Sequence, residues 1–465
     1  MGNELEKKRF KLPHIFVLLT GIIIVAAILS WILPAGEFDR IQNAAGRTVV
    51  VPGTYHYIDR TPVGPFAAVM GIFNGLVNAA DIVFFVFIAF ASVGILIASG
   101  AFHGLIGGLL HVLKGNARLA IIPIFLAVLG LASSTIGVFE EALPFIPIFV
   151  GIAIGMGYDA LVGLAIVAVG VGMGFSGAAM NPFTVGVAQS IAELPPLSGG
   201  LYRVICHLAM FVVASIYIIR YAIKVQKDPT KSLVYGEDFS KFTMDEKAIA
   251  DHPFGIRQKL SLVAFFVTLG IFIWGVKVQG WYFGEIATTF LLMAVAISII
   301  MGWSPNEFAG KIANGLGDIC VACMMIGLAR GIKVTLEQGH IIDTIVYGMS
   351  IPLTYLPKWL AGEAMLVVQT LLNFLIPSGS GQAATSMPIM APLADLLGIS
   401  RQVAVLAFQF GDGFSNILFP TAFAVVMAGI AGIKVTTWWK WLVPLFLLIL
   451  LTQAVLIAIA IGIGW

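Results

Sequence analysis

Two polar, glycine-rich clusters interrupt long apolar runs between Pro377 and Thr421. The first reads Pro377-Ser378-Gly379-Ser380-Gly381-Gln382-Ala383-Ala384-Thr385. The second reads Gly411-Asp412-Gly413-Phe414-Ser415-Asn416-Ile417-Leu418-Phe419-Pro420-Thr421. Hydroxyls, carboxamides and a carboxylate gathered in this way can bind a small charged ligand, and glycine lets the backbone approach it closely. A helix that restarts after a break presents free N–H groups and partial positive charge, which attract a carboxylate, while opposing helix C-termini and hydroxyls attract cations. A bilayer core supplies no water to unpaired N–H and C=O groups, so non-helical backbone at that depth must be buried in protein or line a cavity. The spacing predicts a re-entrant hairpin followed by a discontinuous helix, the outline of a transport site.

The same chemistry occurs earlier in the chain. Ser133-Ser134-Thr135 interrupts the apolar stretch Leu119 to Tyr158, and the segment from Gly174 to Thr184 carries Ser176, Asn181 and Pro182. Glycine and proline at that density break a helix. The candidate substrate- and ion-binding residues are Ser133, Ser134, Thr135, Glu141, Ser176, Asn181, Ser378, Gly379, Ser380, Gln382, Thr385, Asp412, Ser415, Asn416 and Thr421. Each taken singly also suits close helix packing by small residues.

Charges narrow the chemistry. Glu140, Glu141 and Asp412 fall within apolar segments, where a mid-bilayer charge costs roughly 2.5–3.5 kcal/mol on insertion scales and so calls for a partner or a function. Successive helical residues point about 100° apart, so one glutamate of the pair faces the site, with Glu141 favoured over Glu140. Arg330 is the counterweight, and a salt bridge from it to Asp318 or to a glutamate is the structural alternative. Uncompensated carboxylates disfavour a dianionic ligand and suit a basic amino acid, whose own carboxylate would meet the helix N-termini. A proton could ride on a glutamate or on Asp412.

The elements that position these groups follow from composition. With 465 residues, 59% hydrophobic and 11% charged, the chain reads as an all-α polytopic membrane protein. Its net charge of +2 points to no nucleic acid partner. Cys206, Cys320 and Cys323 all lie in apolar segments and imply no disulfide framework, and Cys320 with Cys323 reads as packing rather than as a metal or redox site. His14 to Pro34 follows Lys7-Lys8-Arg9-Phe10-Lys11 and reads as a retained span leaving a cytoplasmic N-terminus. Phe66 to Asn78 suggests an interfacial helix, and His103, His111, Lys114 and Arg118 a cytoplasmic surface helix.

The first half, 1–226, holds a hairpin at about 118–158 and a broken helix at 160–190. A charged cytoplasmic linker, 227–259, carries Lys231, Lys241, Asp245, Glu246 and Lys247. The second half, 260–465, adds a leading span, then a hairpin at about 360–398 and a broken helix at 402–430. The corresponding landmarks keep one order and a nearly constant offset, and the topology runs them in opposite directions. The expected architecture is an inverted repeat of nine crossings and two hairpins in a cell membrane, with the site at the midplane.

These residues resemble the ion transporter superfamily and, within it, the DcuC-like (C4-dicarboxylate anaerobic carrier) group with its YfcC family. The likeness covers nearly the whole chain and rests chiefly on the clusters Pro377–Pro388 and Gly411–Thr421. It implies paired hairpins, a scaffold that mediates homodimerisation, and elevator-type movement of a transport domain. In better-known relatives Ser-Asn-Thr signatures at the hairpin tips bind sodium and a substrate carboxylate. Here the tips read Ser133-Ser134-Thr135 and Ser378-Gly379-Ser380, and the asparagines sit in the broken helices as Asn181 and Asn416. Some YfcC-like proteins are regarded as arginine–ornithine exchangers. The expected function is secondary active transport of a small organic ion, favouring a basic amino acid, by exchange or by coupling to a proton or to sodium at the tips. The expectation includes no cofactor and no enzymatic activity. A C4-dicarboxylate carrier is the alternative and a channel the remoter one.

Overall fold

The computed structural model describes residues 14–42, 48–101, 104, 115–242 and 254–465. The basic start Lys7 to Lys11, His103, His111, Lys114, Asp245, Glu246 and Lys247 lie outside the described residues. Helix α1 (Ile15–Ile32) leads into a loop holding β1 (Gly36–Glu37), β2 (Arg40–Gln42), β3 (Thr48–Val50) and β4 (His56–Tyr57), paired antiparallel as β1–β4 and β2–β3. Next come α2 (Pro65–Asn78), α3 (Ala80–Ala98), α4 (Ile121–Ile136) and a 3-10 turn over Glu140–Phe145. The first half closes with α5 (Ile146–Gly155), α6 (Ala160–Ser176), α7 (Val185–Ile191) and α8 (Gly200–Lys227). The second half begins with α9 (Ile256–Trp274), α10 (Phe283–Met301), α11 (Pro305–Gln338) and α12 (Ile342–Ser350). It ends with α13 (Lys358–Leu375), α14 (Gly379–Leu396), α15 (Arg401–Ser415), α16 (Ala424–Ile430) and α17 (Val435–Ile463).

Local chemistry sets the helix starts. Ser304 and Glu307 form a capping box before Pro305, each side chain bonding the other's backbone N–H at the head of α11. Asp159 accepts from the Val162 N–H at 3.0 Å to open α6, and Ser400 accepts from Val403 to open α15. Among the described residues eight helices are long and apolar enough to cross a membrane. Seven match expected full crossings and the eighth, Ala117–Ile136, contains α4. The two remaining expected crossings are α6–α7 and α15–α16, each made of pieces too short to qualify singly.

Packing sorts the helices into two groups. In one, α11 runs against α1, α2 and α3, and α10 joins α3 to α9. In the other, α4 to α8 pack with α13 to α17. The segment read as an interfacial helix is instead the first part of a long rod: α2 continues into α3 with only Ala79 between them, and both lie antiparallel on α11. A glycine stripe explains this. A Cβ on Gly75 would overlap the Gly327 carbonyl and the Gly331 backbone, so the two helices meet backbone to backbone as small-xxx-small pairs allow. The loop after α1 is fastened to α12, where Asp343 accepts from Arg40 at 2.8 and 2.9 Å and from the Phe38 N–H at 3.0 Å.

Within the second group the directions are legible from contacts. Gly170, Gly174 and Gly177 meet Leu129, Gly130 and Ser134 in turn, so α6 runs parallel to α4. Gly411 meets Gln369, and Ser415 and Asn416 meet Asn373, so α15 runs parallel to α13. Gly172 packs on Ile417 and Ser176 on Gly413, so α6 and α15 cross antiparallel. The start of the inter-half linker is strapped to this group. Ser232 and Tyr221 donate to Asp159 at 2.6 and 2.7 Å, Val234 is buried, and Glu237 pairs with Lys434 at 2.7 Å.

The glycine stripe yields a test. Gly75→Ala should destabilise the protein by about 1–3 kcal/mol through overpacking, read as a lower melting temperature of the detergent-solubilised chain. Gly53→Ala in the outer loop, with no atom within 4 Å of the added methyl but a φ of 76°, should carry only the smaller backbone strain.

Candidate functional site

The two hairpins do not turn where the hydroxyl clusters alone suggest. Helix α4 continues through Ser133-Ser134-Thr135 to Ile136, and the first tip is Gly137 to Phe139, with Gly137 left-handed at φ 77° as the C-cap. The Ser-Ser-Thr run is therefore the last turn of α4. Ser133 donates to the Val171 carbonyl at 2.9 Å. Ser134 donates to the Gly177 carbonyl at 3.3 Å and accepts from the Ala179 N–H at 3.1 Å. Both hydroxyls thus pin the first broken helix to its hairpin. Thr135 bonds back to the Leu131 carbonyl at 2.6 Å and takes no part in this clamp.

At the second hairpin α13 stops at Leu375 and α14 restarts at Gly379, with Ser378 as its N-cap residue. A Cβ placed on Gly379 would sit 3.0 Å from Asp412 Oδ2 and against the Thr184 methyl. The start of α14, the first break and the carboxylate of the second broken helix therefore meet at one point. Ser380 is exposed, and Thr385 bonds back to the Gly381 carbonyl at 2.9 Å. Gln382 lies deeper and donates to Gln369 Oε1 at 2.8 Å.

The breaks, 177–184 and 416–423, are held from both halves. Ser176 donates to the Phe410 carbonyl at 3.3 Å and accepts from Gln453 at 2.8 Å, and Gln409 donates to the Phe175 carbonyl. Asn373 donates to Ser415 Oγ at 2.6 Å and to Asn416 Oδ1 and the Asp412 carbonyl at 3.0 Å each. Asn416 in turn donates to the Asp412 carbonyl at 2.6 Å, and Asn181 accepts from the Phe183 N–H at 2.9 Å. What remains is a set of buried polar atoms without partners: both carboxylate oxygens of Asp412, Asn181 Nδ2, Thr184 Oγ1, Gln382 Oε1 and Thr421 Oγ1. Buried polar groups are ordinarily hydrogen-bonded, so these atoms make the breaks a candidate site.

Aromatic rings fill the centre. Phe139 packs on Phe175 and Phe423, each at 5.2 Å, and Phe175 lies 3.6 Å from a Cβ on Gly379. Beside them a cavity of about 20 Å³ is lined by Ile82, Arg330, Pro377, Thr421 and Phe423, among others. That is room for about one water molecule.

The charged residues fall differently from expectation. Glu141 accepts from the Phe139 N–H at 3.0 Å, which folds its carboxylate back onto its own turn. Glu140 is the glutamate with both Arg330 and Asp412 among its electrostatic neighbours. Glu140–Phe145, which contains Pro144, winds as a 3-10 turn rather than the α-helical arm expected there. Asp318 is no partner for Arg330. Twelve residues of one helix separate them by about 18 Å, and Asp318 lines a separate cavity of about 330 Å³ with Lys241 and Phe242. Sequence reasoning missed Thr184, Gln369, Asn373, Gln409 and Gln453. Thr184 had a signal, since it follows Pro182 in the first break much as Thr421 follows Pro420 in the second.

Broken apolar helices, clasped by two helical hairpins and carrying unpartnered polar groups at their breaks, are the hallmark of membrane transporters, and this chain is a multi-pass membrane protein of that kind. Residues 12–462 match the DcuC family, described as C4-dicarboxylate anaerobic carrier, and the chain belongs to it. YfcC of Escherichia coli, provisionally named a basic amino acid antiporter, is 29% identical over 93% of both chains. An uncharacterized protein of Haemophilus influenzae is 29% identical over 99% of both. Among solved structures the chain is similar to MtrF of Neisseria gonorrhoeae, described with a class of antimetabolite efflux pumps (TM-score 0.44, 18% identity, 98% of this chain and 96% of that one). It is also similar to the YdaH transporter of Alcanivorax borkumensis (TM-score 0.43, 16% identity, 97% and 99%).

The clamp around the second break can be probed directly. Asn373→Ala removes a donor shared by three acceptors, leaves Asn416 Oδ1 without a partner and should cost about 1–3 kcal/mol, seen as a lower melting temperature. Thr135→Val should shift stability by no more than about 0.5 kcal/mol.

Proposed function

We propose that the protein is a secondary active carrier of a basic amino acid such as arginine or ornithine, working by exchange or by coupling to a proton or sodium. In this reading the hairpins are re-entrant and the halves form an inverted repeat. The group containing α14 and α15 then moves, elevator fashion, against a scaffold built on α11, in a homodimer within the cell membrane, with the N-terminus and linker cytoplasmic. The antiparallel crossing of α6 and α15 and the matched hairpin contacts support the repeat.

The observation that carries the substrate class is Asp412, fully buried with neither oxygen paired, beside the first turn of α14 and close to Glu140. A basic amino acid is complementary to this layout. Its carboxylate suits the free N–H groups of the α14 first turn, and its cationic groups suit Asp412 and Glu140. The Phe139, Phe175 and Phe423 rings add faces that attract a desolvated cation. The provisional name of the Escherichia coli relative agrees with this reading, whereas the family description favours the rival, a C4-dicarboxylate carrier.

Uptake of labelled arginine and of labelled succinate into proteoliposomes separates the two. Arginine should enter with saturable counterflow, which a channel would lack. Asp412→Asn should lower arginine transport by about ten- to a hundredfold, as expected for losing a charge-assisted contact of about 1.5–3 kcal/mol. Arginine transport that survives neutralisation of Asp412, Glu140 and Glu141 together would defeat the charge-pairing idea. Succinate exchange without arginine transport would establish the rival.

A further inference from the structure

The fixed and moving groups meet along a seam, and Arg330 stands in it. It projects from α11 into the small cavity shared with Pro377 of the second tip and Thr421 and Phe423 of the second break. The first tip reaches the same seam. Its turn Glu140–Phe145 packs on α3, and Phe139 next to Glu140 packs on Phe423. Phe183 of the first break meets Tyr282, at the head of α10, with ring centroids 6.1 Å apart. Both tips and both breaks thus abut the scaffold around one guanidinium.

Among the described residues no carboxylate is in direct ion-pair contact with Arg330. Its electrostatic neighbours are Glu140, Glu337 and Tyr282, and Glu337 is already held by Lys333 at 3.1 Å. The acid left to answer Arg330 is Glu140, which belongs to the opposite group. A cation on one group facing an acid on the other attracts across the seam, and strongly so where water is scarce.

We propose that Arg330 is a tethered cation: in the empty carrier it attracts Glu140 and holds the moving group against the scaffold, and a cationic substrate group releases that hold by taking over Glu140. The inference rests on the reading of a basic amino acid substrate. Its consequence is that the carrier crosses readily when loaded and poorly when empty, so transport is obligatory exchange. A ligand can bias such an equilibrium only through its different interaction with the two states, and competition for Glu140 supplies that difference. Arg330 acts here on the moving group and is not a substrate ligand.

The test uses the purified full-length chain in proteoliposomes loaded with labelled arginine, comparing efflux into buffer alone with efflux into buffer containing arginine. Wild-type protein should release label chiefly in exchange. In Arg330→Gln, efflux into buffer alone should rise about tenfold relative to exchange, the factor set by each 1.4 kcal/mol of lost attraction, while Arg330→Lys should keep the wild-type ratio. Glu140→Gln should raise the same ratio, and Glu140→Gln with Arg330→Gln should raise it no further than either alone. An unchanged ratio in Arg330→Gln with exchange intact overturns the proposal. So does loss of both fluxes in an Arg330→Gln protein that remains monodisperse, because Arg330 would then serve substrate binding, as a dianion carrier would require. Should Arg330→Gln fail to fold, Arg330→Leu, which removes the charge without leaving a buried polar group, decides, and a wild-type ratio there overturns the proposal. Wild-type protein that exchanges no basic amino acid defeats the parent reading of substrate, and this shows before any variant is made.

Discussion

Backbone that leaves the helical path inside an apolar layer must find its hydrogen bonds within the protein. This chain makes two such departures, at 177–184 and 416–423, and satisfies them jointly. The Phe175 carbonyl accepts from Gln409 and the Phe410 carbonyl from Ser176, so each broken helix sends a side-chain hydrogen bond to the backbone of the other. Gly413 makes this exchange fit, because a Cβ there would run into the Ser176 backbone. Each such bond contributes only about 0.5–1.5 kcal/mol net, yet losing one partner leaves a buried orphan that costs about 1–3 kcal/mol. These bonds tie the two halves together where α6 and α15 cross, within the α14-bearing group.

The hairpins carry the same logic outward. Ser134 covers backbone released by the first break, Ser133 ties the helix before it at Val171, and Asn373 covers backbone and side chains around the second. With those demands met, Asp412, Thr184, Thr421 and the Asn181 amide stand out as unmet. Stability alone does not explain a bare carboxylate in such a place, since replacing it by an apolar side chain would relieve desolvation.

Much of this was legible in the sequence, and the reasons are specific. Asp412 and the glycine-rich clusters stand out because polar residues are expensive in an apolar run, so both breaks and both hairpins could be placed within a few residues. Helical phase was harder. Three successive hydroxyls at 133–135 look equivalent on paper, yet only two face α6, and the third turns onto its own helix. The orientation of Glu140 and Glu141 was not legible either, because the run winds as a 3-10 turn in which Glu141 folds back onto the Phe139 N–H. The amides Gln369, Asn373, Gln409 and Gln453 gave no signal, since a lone amide reads as a solvated face until its carbonyl partner is known. Similarly, nothing local marks α2 as the start of a rod laid along α11, because the deciding feature is the glycine stripe of α11 more than 250 residues away.

The strap formed by Ser232, Val234 and Glu237 closes over Asp159 from the first half and Lys434 from the second. A chain divided beyond Phe242 keeps this buckle whole on its N-terminal fragment, which can then recognise the C-terminal fragment through Glu237 and Lys434. A chain divided before Pro229 surrenders the buckle's covalent link to α8. The place where the polypeptide can be cut with the buckle kept whole is thus set by the end of the strap.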